Sequence, residues 1–209
     1  MSDYCSDAQA NRFLPSSHGL TLAAYKTEAA ALLDARLSPR YWTPFPDVTA
    51  TPATPVELQT PAAMLTAWLA WLTLGATNRF SDVSPCQFLF EQAERLLAAI
   101  MDPDPTTPQL SLVQVTDEAM TFGTDPLDDD EYKLAASPKT VIPASVTIAG
   151  YEYGVDFVVG YKVENRGWVL TRLTAEIVDG HKVSYQYSYL KQVEIDLPPT
   201  YAGGRIVRG

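Results

Sequence analysis

The sequence predicts an α+β protein: an N-terminal all-α bundle of about four helices, a small antiparallel β-sandwich or barrel, and an extended C-terminal tail. Three observations predict it. Apolar residues recur at three- and four-residue steps up to about residue 101, the composition changes abruptly at DPDPTTP (102–108), and beyond that the apolar period becomes two. The divisions implied are 1–105, 106–197 and 198–209. With 209 residues, 46% hydrophobic and 19% charged, the chain has the proportions of one that folds around one large or two small cores.

The first helix opens at Ser6-Asp7-Ala8-Gln9, a capping box in which the serine takes an orphan N–H and the glutamine reaches back, and it stops before Pro15. The second spans about Leu20 to Leu37. Leu22, Tyr25, Ala29, Leu32, Leu33 and Leu37 form its apolar stripe, and Lys26, Asp34 and Arg36 lie off it. It runs into Arg40, Tyr41 and Trp42, with Phe45 set between Pro44 and Pro46. Large aromatic rings and an arginine in a proline-bracketed loop suggest a surface that receives a partner. The Thr- and Pro-rich stretch 47–61 continues as loop.

The third helix is expected to begin at Thr60-Pro61, where a missing N–H costs nothing, and to end at Gly75 as a left-handed cap. Met64, Leu65, Trp68, Leu69, Trp71, Leu72 and Leu74 wrap nearly all the way round it. One bundle partner cannot cover such a helix, so a second face needs burial elsewhere. The fourth opens at Ser84-Pro85-Cys86-Gln87, a second S-x-x-Q box, carries Leu89, Ala93, Leu96, Leu97 and Ile100, and offers Glu91 and Arg95 as an i,i+4 pair.

In the second half, every odd position of YEYGVDFVVGYKV (151–163) is apolar or aromatic, which is a strand pattern. Val183, Tyr185, Tyr187 and Tyr189 repeat it after an Asp179-Gly180 turn, and Trp168-Val169-Leu170 follows the turn 164–167. Shorter candidates lie at Leu110–Val115, Ala119–Phe122 and Val146–Ile148.

Composition excludes several functions. The net charge is −10, with 11 acids against 6 bases in residues 1–105 and 14 against 9 in the rest, so there is no basic face for nucleic acid. The N-terminus, MSDYCSD, is acidic where a signal peptide would be basic. The apolar run 62–76 is shorter than the roughly 20 residues that span a bilayer. Neither Walker nor dinucleotide glycine motifs occur, and no cofactor is expected.

Candidate chemistry is sparse. His18 and His181 sit in turns, and Cys5 and Cys86 lie outside metal or redox spacing. Cys86 is at a helix N-terminus, where the dipole lowers a thiol pKa, but its capping-box setting explains it without catalysis. The acidic run DPLDDDEYK (125–133) has oxygen enough for calcium and lacks EF-hand spacing, so it reads as a solvated face. The 25 acids make a hydrolase's carboxylate pair available without placing one. The tyrosines of the second half invite a carbohydrate- or receptor-binding reading. Their shared parity favours a core.

The stretches YCSDAQANRFL (4–14), LAAYKTEAAALLDARLSPRYWTPFP (22–46), PAAMLTAWLAWLTL (61–74) and FLFEQAERLLAAI (88–100), in that order, resemble the head–tail adaptor (connector) proteins of tailed bacteriophages over residues 4–101. The resemblance implies a structural, non-enzymatic virion protein at the head–tail interface. In that family the bundle forms a twelve-fold homo-oligomeric ring on the portal protein and offers its other side to the tail or a tail-completion protein. A ring would give Arg40, Tyr41, Trp42, Phe45, Trp68 and Trp71 their neighbours. The segments around Gly150, Tyr153, Asp156 and Phe157, and Val183, Tyr185 and Tyr187, are similar to β-modules of phage structural proteins. The tail 196–209 has no core pattern. As terminal extensions of the family grip the portal, the resemblance implies that role for Tyr201, Arg205, Ile206 and Arg208.

Overall fold

The computed structural model describes residues 3–16, 19–76, 84–102, 110–124, 127–163 and 167–191. The chain is α+β and divides into two compact units, Met1–Ser111 and Leu112–Gly209.

Among the described residues of the first unit four helices form: α1 (Asp7–Asn11), α2 (Ala23–Leu37), α3 (Val56–Ala76) and α4 (Ser84–Met101). The capping box forms as read, with Gln9 N–H on Ser6 Oγ and Ser6 N–H on Gln9 Oε1. The predicted start of α3 is corrected: it begins at Val56, and Pro61 lies inside the helix. Fully buried Leu58 anchors the extra turn, and Gln59 Nε2 donates to the Thr54 carbonyl beneath it. Gly75 is helical and α3 continues to Ala76, so Gly75 is no cap. The side chain of Ser84 lies outside the described residues. Among those described, no ion pair joins Glu91 to Arg95; Glu91 accepts from Gln87, and Glu94 pairs with Arg36 of α2 at 2.8 Å.

The helix that looked too greasy for a small bundle is its centre. α1, α2 and α4 all pack on α3, which buries Leu58, Ala62, Ala63, Leu65, Ala67, Leu69, Ala70 and Leu74 within the chain. Its buried Thr66 hydroxyl is satisfied by the Ala62 carbonyl, 2.8 Å away. Ala62, Ala63, Ala67 and Ala70 keep part of its buried surface small, which allows close helix approach.

Among its described residues the second unit has seven strands in two antiparallel sheets. β1 (Val113–Ala119), β3 (Thr140–Val141) and β4 (Thr147–Ile148) each pair with β7 (Lys182–Ser188). β2 (Glu131–Lys133) and β5 (Phe157–Lys162) flank β6 (Gly167–Arg172). Val183, Tyr185, Tyr187 and Tyr189 are all buried, as their alternation predicts. The stripe 151–163 is only half a core stripe. Phe157 and Val159 are buried, but the strand starts at Phe157 because Gly154, at φ 83°, turns the chain and leaves Val155 62% exposed.

The acidic run is not wholly solvated. Its end becomes β2, where buried Glu131 pairs with Lys162 of β5, and Asp130 pairs with Arg172 of β6 at 2.8 Å. Among the described residues no group of His, Cys, Asp and Glu is placed to hold a metal, and no helix is long and apolar enough to cross a membrane.

Candidate functional site

The proline-bracketed loop after α2 is where sequence reasoning placed a partner surface, and the structure corrects half of that placement. Tyr41 and Phe45 are each only 1% exposed. Tyr41 Oη donates to the Ile100 carbonyl at 2.8 Å, and Arg40 Nη1 donates to the Met101 carbonyl. These are the last carbonyls of α4, which have no partner within the helix. The Arg40 cation also sits at the negative end of the α4 dipole. The Arg40 guanidinium lies 5.7 Å from the Tyr41 ring centre. Arg40 and Tyr41 therefore act as a cap on a helix sixty residues downstream, a long-range partnership that local sequence cannot display.

Phe45 is held inside by a second arrangement. Its N–H donates to Tyr4 Oη at 2.8 Å, the rings meet edge to face at 5.8 Å, and Tyr4 Oη donates to Asp34 Oδ1 of α2 at 2.7 Å. Burial, reinforced by Asp34, pushes the Tyr4 phenol well above its ordinary range. Beside it, Asp47 Oδ1 accepts Thr49 N–H and hydroxyl, and Oδ2 accepts Asp3 N–H at 2.9 Å. Those backbone hydrogen bonds, that of Thr49 first, bring the Asp47 carboxyl down to about 2. Lys26 reaches Asp3 at 2.7 Å and Asp7 at 2.8 Å. Burial opposes its charge, and the two carboxylates outweigh burial, holding the ammonium above its ordinary range. The N-terminal segment, α2 and the proline loop are thus sewn into one polar seam, which composition alone does not reveal.

Trp42, Trp68 and Trp71 are half-buried. Trp71 Nε1 donates to the Phe13 carbonyl at 3.0 Å, and Trp68 packs on Phe90 of α4 with ring centres 4.7 Å apart. Trp68 belongs to a stripe at i, i+4, i+8 with Met64 and Leu72. None of the three is fully buried, and Leu72 is 48% exposed. On α4, Phe88 is 59% exposed. The predicted tail residues Tyr201, Arg205, Ile206 and Arg208, and His18, lie outside the described residues.

The other chemical candidates disperse. Cys5 and Cys86 are free and buried, and burial raises both thiols; the helix-terminus argument for a reactive Cys86 fails because the sulfur is desolvated against the Trp68 carbonyl. In the second unit Asp117, His181 and Ser184 line one cleft of about 460 Å3. They form no triad: His181 Nδ1 is engaged with Val178, Ser184 Oγ accepts the Asp117 N–H, and no hydrogen bond joins His181 to Ser184 among the described residues. Of the tyrosines weighed as sugar platforms, Tyr185, Tyr187 and Tyr189 are core, while Tyr153 and Tyr161 are 44% and 40% exposed.

A polar cluster missed in the sequence sits at Glu118. A β-bulge between Val115 and Glu118, with Asp117 at φ 57°, adds one residue to β1. Glu118 is thereby turned onto the face that Val113 and Val115 share. There its carboxylate accepts Tyr132 Oη and Tyr185 Oη, both at 2.6 Å, and Ala135 N–H at 3.0 Å. Burial first, then Glu118, pushes both phenols far above their ordinary range. With both carboxylate oxygens engaged and both tyrosines held as donors, this cluster joins β1, β2 and β7.

No protein-family model, curated protein or solved structure matches the chain. The class that the fold defines is an α+β protein of two compact units.

Proposed function

We propose that the chain is a structural protein of a tailed-phage virion, a head–tail adaptor that self-associates into a ring between the portal and the tail or tail-completion protein and catalyses nothing. One observation carries the reading. After three helices have packed on α3, the stripe Met64, Trp68, Leu72 remains part-exposed, with Phe88 exposed on the neighbouring helix. Copies of one chain in a closed ring cover such flanks on both sides of each subunit. The element order accords with it: a short capped helix, a long Ala-rich helix, a proline loop, an apolar helix and a final helix. Arg40, Tyr41 and Phe45 now support this role from within, by fixing the loop against α4, and Trp42, Trp68 and Trp71 remain as contact residues. The tail residues Tyr201, Arg205, Ile206 and Arg208 are assigned to the portal.

The test mixes the full chain with its portal protein and weighs the products by mass photometry. Assembly on the portal is expected for the native chain and is lost in Leu72→Asp, whose exposed site tolerates the charge in the monomer. Deletion of 200–209 weakens portal binding. Failure of the native chain to associate with its portal, or full assembly by Leu72→Asp, overturns the reading. The rival reading, a virion module that binds carbohydrate or a receptor, is favoured only by the exposure of Tyr153 and Tyr161. A glycan-array signal abolished by Tyr153→Ala would select it.

A further inference from the structure

Between α2 and the proline loop lies a cleft of about 420 Å3 lined by Tyr4, Thr27, Ala30, Ala31, Asp34, Thr43 and Pro44. We infer that it is a binding site for the guanidinium group of an arginine side chain presented by a partner polypeptide. The inference does not depend on ring formation, and either can fail without the other.

The floor of the cleft is a carboxylate with spare capacity. Asp34 Oδ1 accepts Tyr4 Oη, and among the described residues no Lys, Arg or His nitrogen lies within 4.0 Å of Asp34. The bases nearest in sequence are committed elsewhere: Lys26 to Asp3 and Asp7, Arg36 to Glu94, Arg40 to the Met101 carbonyl. A half-buried carboxylate without a counter-ion is costly, and a cation that arrives there gains more than it would at an open surface. Desolvation raises the Asp34 pKa, against the lowering by Tyr4, which agrees with a charge that its own chain leaves uncompensated.

The walls fit an arginine. The methyl groups of Ala30 and Ala31 and the Pro44 ring offer an apolar track for a trimethylene stem, while the Thr27 and Thr43 hydroxyls can accept the N–H groups that Asp34 does not take. Arginine is favoured over lysine because its planar, weakly hydrated cation loses less on entering a partly buried cleft and reaches several acceptors at once. A chain of net charge −10 also attracts a basic segment at long range.

The experiment titrates the full chain with acetyl-Gly-Arg-Gly-amide and follows backbone amide signals by NMR. Three further arms use the same peptide with citrulline for arginine, the small cation agmatine, and the variants Asp34→Asn and Ala31→Leu. The arginine peptide is expected to shift Ala30, Ala31, Asp34 and Thr43. The neutral citrulline peptide binds about tenfold or more weakly. Asp34→Asn keeps an acceptor for Tyr4 and removes the charge, so it loses about tenfold in affinity while the Phe45 signal stays in place. Ala31→Leu, at an exposed position, fills the cleft and gives the same loss. No shift at millimolar peptide, equal binding of the citrulline peptide, or undiminished affinity in both variants overturns the inference. Agmatine binding more tightly than the peptide overturns the polypeptide occupant in favour of a free cation.

Discussion

Asp34 in the helical unit and Glu118 in the β unit begin alike and end differently. Each accepts a tyrosine hydroxyl at nearly the same distance, 2.7 Å from Tyr4 and 2.6 Å from Tyr132 and Tyr185. Glu118 goes on to use its other oxygen and a backbone N–H, which ties three strands together, while Asp34 stops at one partner and opens onto a cleft. The difference teaches how to separate scaffold from site where no ligand is bound. A carboxylate whose hydrogen bonds are all made within the chain strengthens and fixes the fold, and one left half-made keeps free energy available for something outside it.

The largest expected effect falls on the completed network. Glu118→Ala strands two phenol donors in a part-buried place and removes the acceptor of the exposed Ala135 N–H, which costs about 2–4 kcal/mol of β-unit stability. Glu118→Gln, which keeps one acceptor and the shape, costs about half as much. Urea unfolding followed through amide exchange at Tyr185 checks both. If Glu118→Ala costs no more than Asp34→Ala, the contrast between the two carboxylates is broken.

Tyr4→Phe comes next, because the hydroxyl both donates to Asp34 and accepts from Phe45 N–H. Its loss is expected to cost about 1–2 kcal/mol in the helical unit and to speed amide exchange at Phe45. A loss of stability without that local opening would mean the loop is held by the Phe45 ring alone.

What could be read beforehand tracks how local each cause is. The Ser6–Gln9 box is legible because its partners are three residues apart, and the β7 core because alternation is a property of one strand. The inward turn of Tyr41 and Phe45 is not legible, since their partners are Ile100 and Tyr4. The run from Met64 to Leu74 reads as more apolar surface than one partner can cover, and most of it is spent on three helices of the same chain. Glu131 looked like part of a solvated run because Lys162, its counter-ion, stands thirty-one residues on. In the sequence Asp34 simply lies off an apolar stripe; an acid on the wet side of a helix gives no sign that a distant tyrosine and a proline loop will enclose it.

The acid limb of stability sharpens the comparison within the helical unit. Asp47 is held at about 2, below its ordinary 3.8, so its contribution is present above that ordinary value and is lost as pH falls through about 2. Asp47→Asn, which can still accept on one oxygen, should flatten the decline of stability between about pH 4 and 2. An unchanged acid limb in the variant would remove Asp47 as its cause.

Asp34 gives the smallest effect and the opposite sign. Its folded pKa lies above 3.8, so the folded state holds the proton more tightly than the unfolded chain does. Stability from this group is complete below 3.8 and is lost as pH rises through the folded value, where the carboxylate ionises in a cleft without a cation. Asp34→Asn cannot ionise and retains the Tyr4 hydrogen bond. The variant should therefore match the native chain in acid and exceed it slightly at neutral pH. A difference that stays constant across the titration would mean that Asp34 is already balanced within its own chain. A saturating arginine peptide should erase the neutral-pH difference by stabilising the native chain alone, because the ligand then supplies what the sequence around Asp34 withholds.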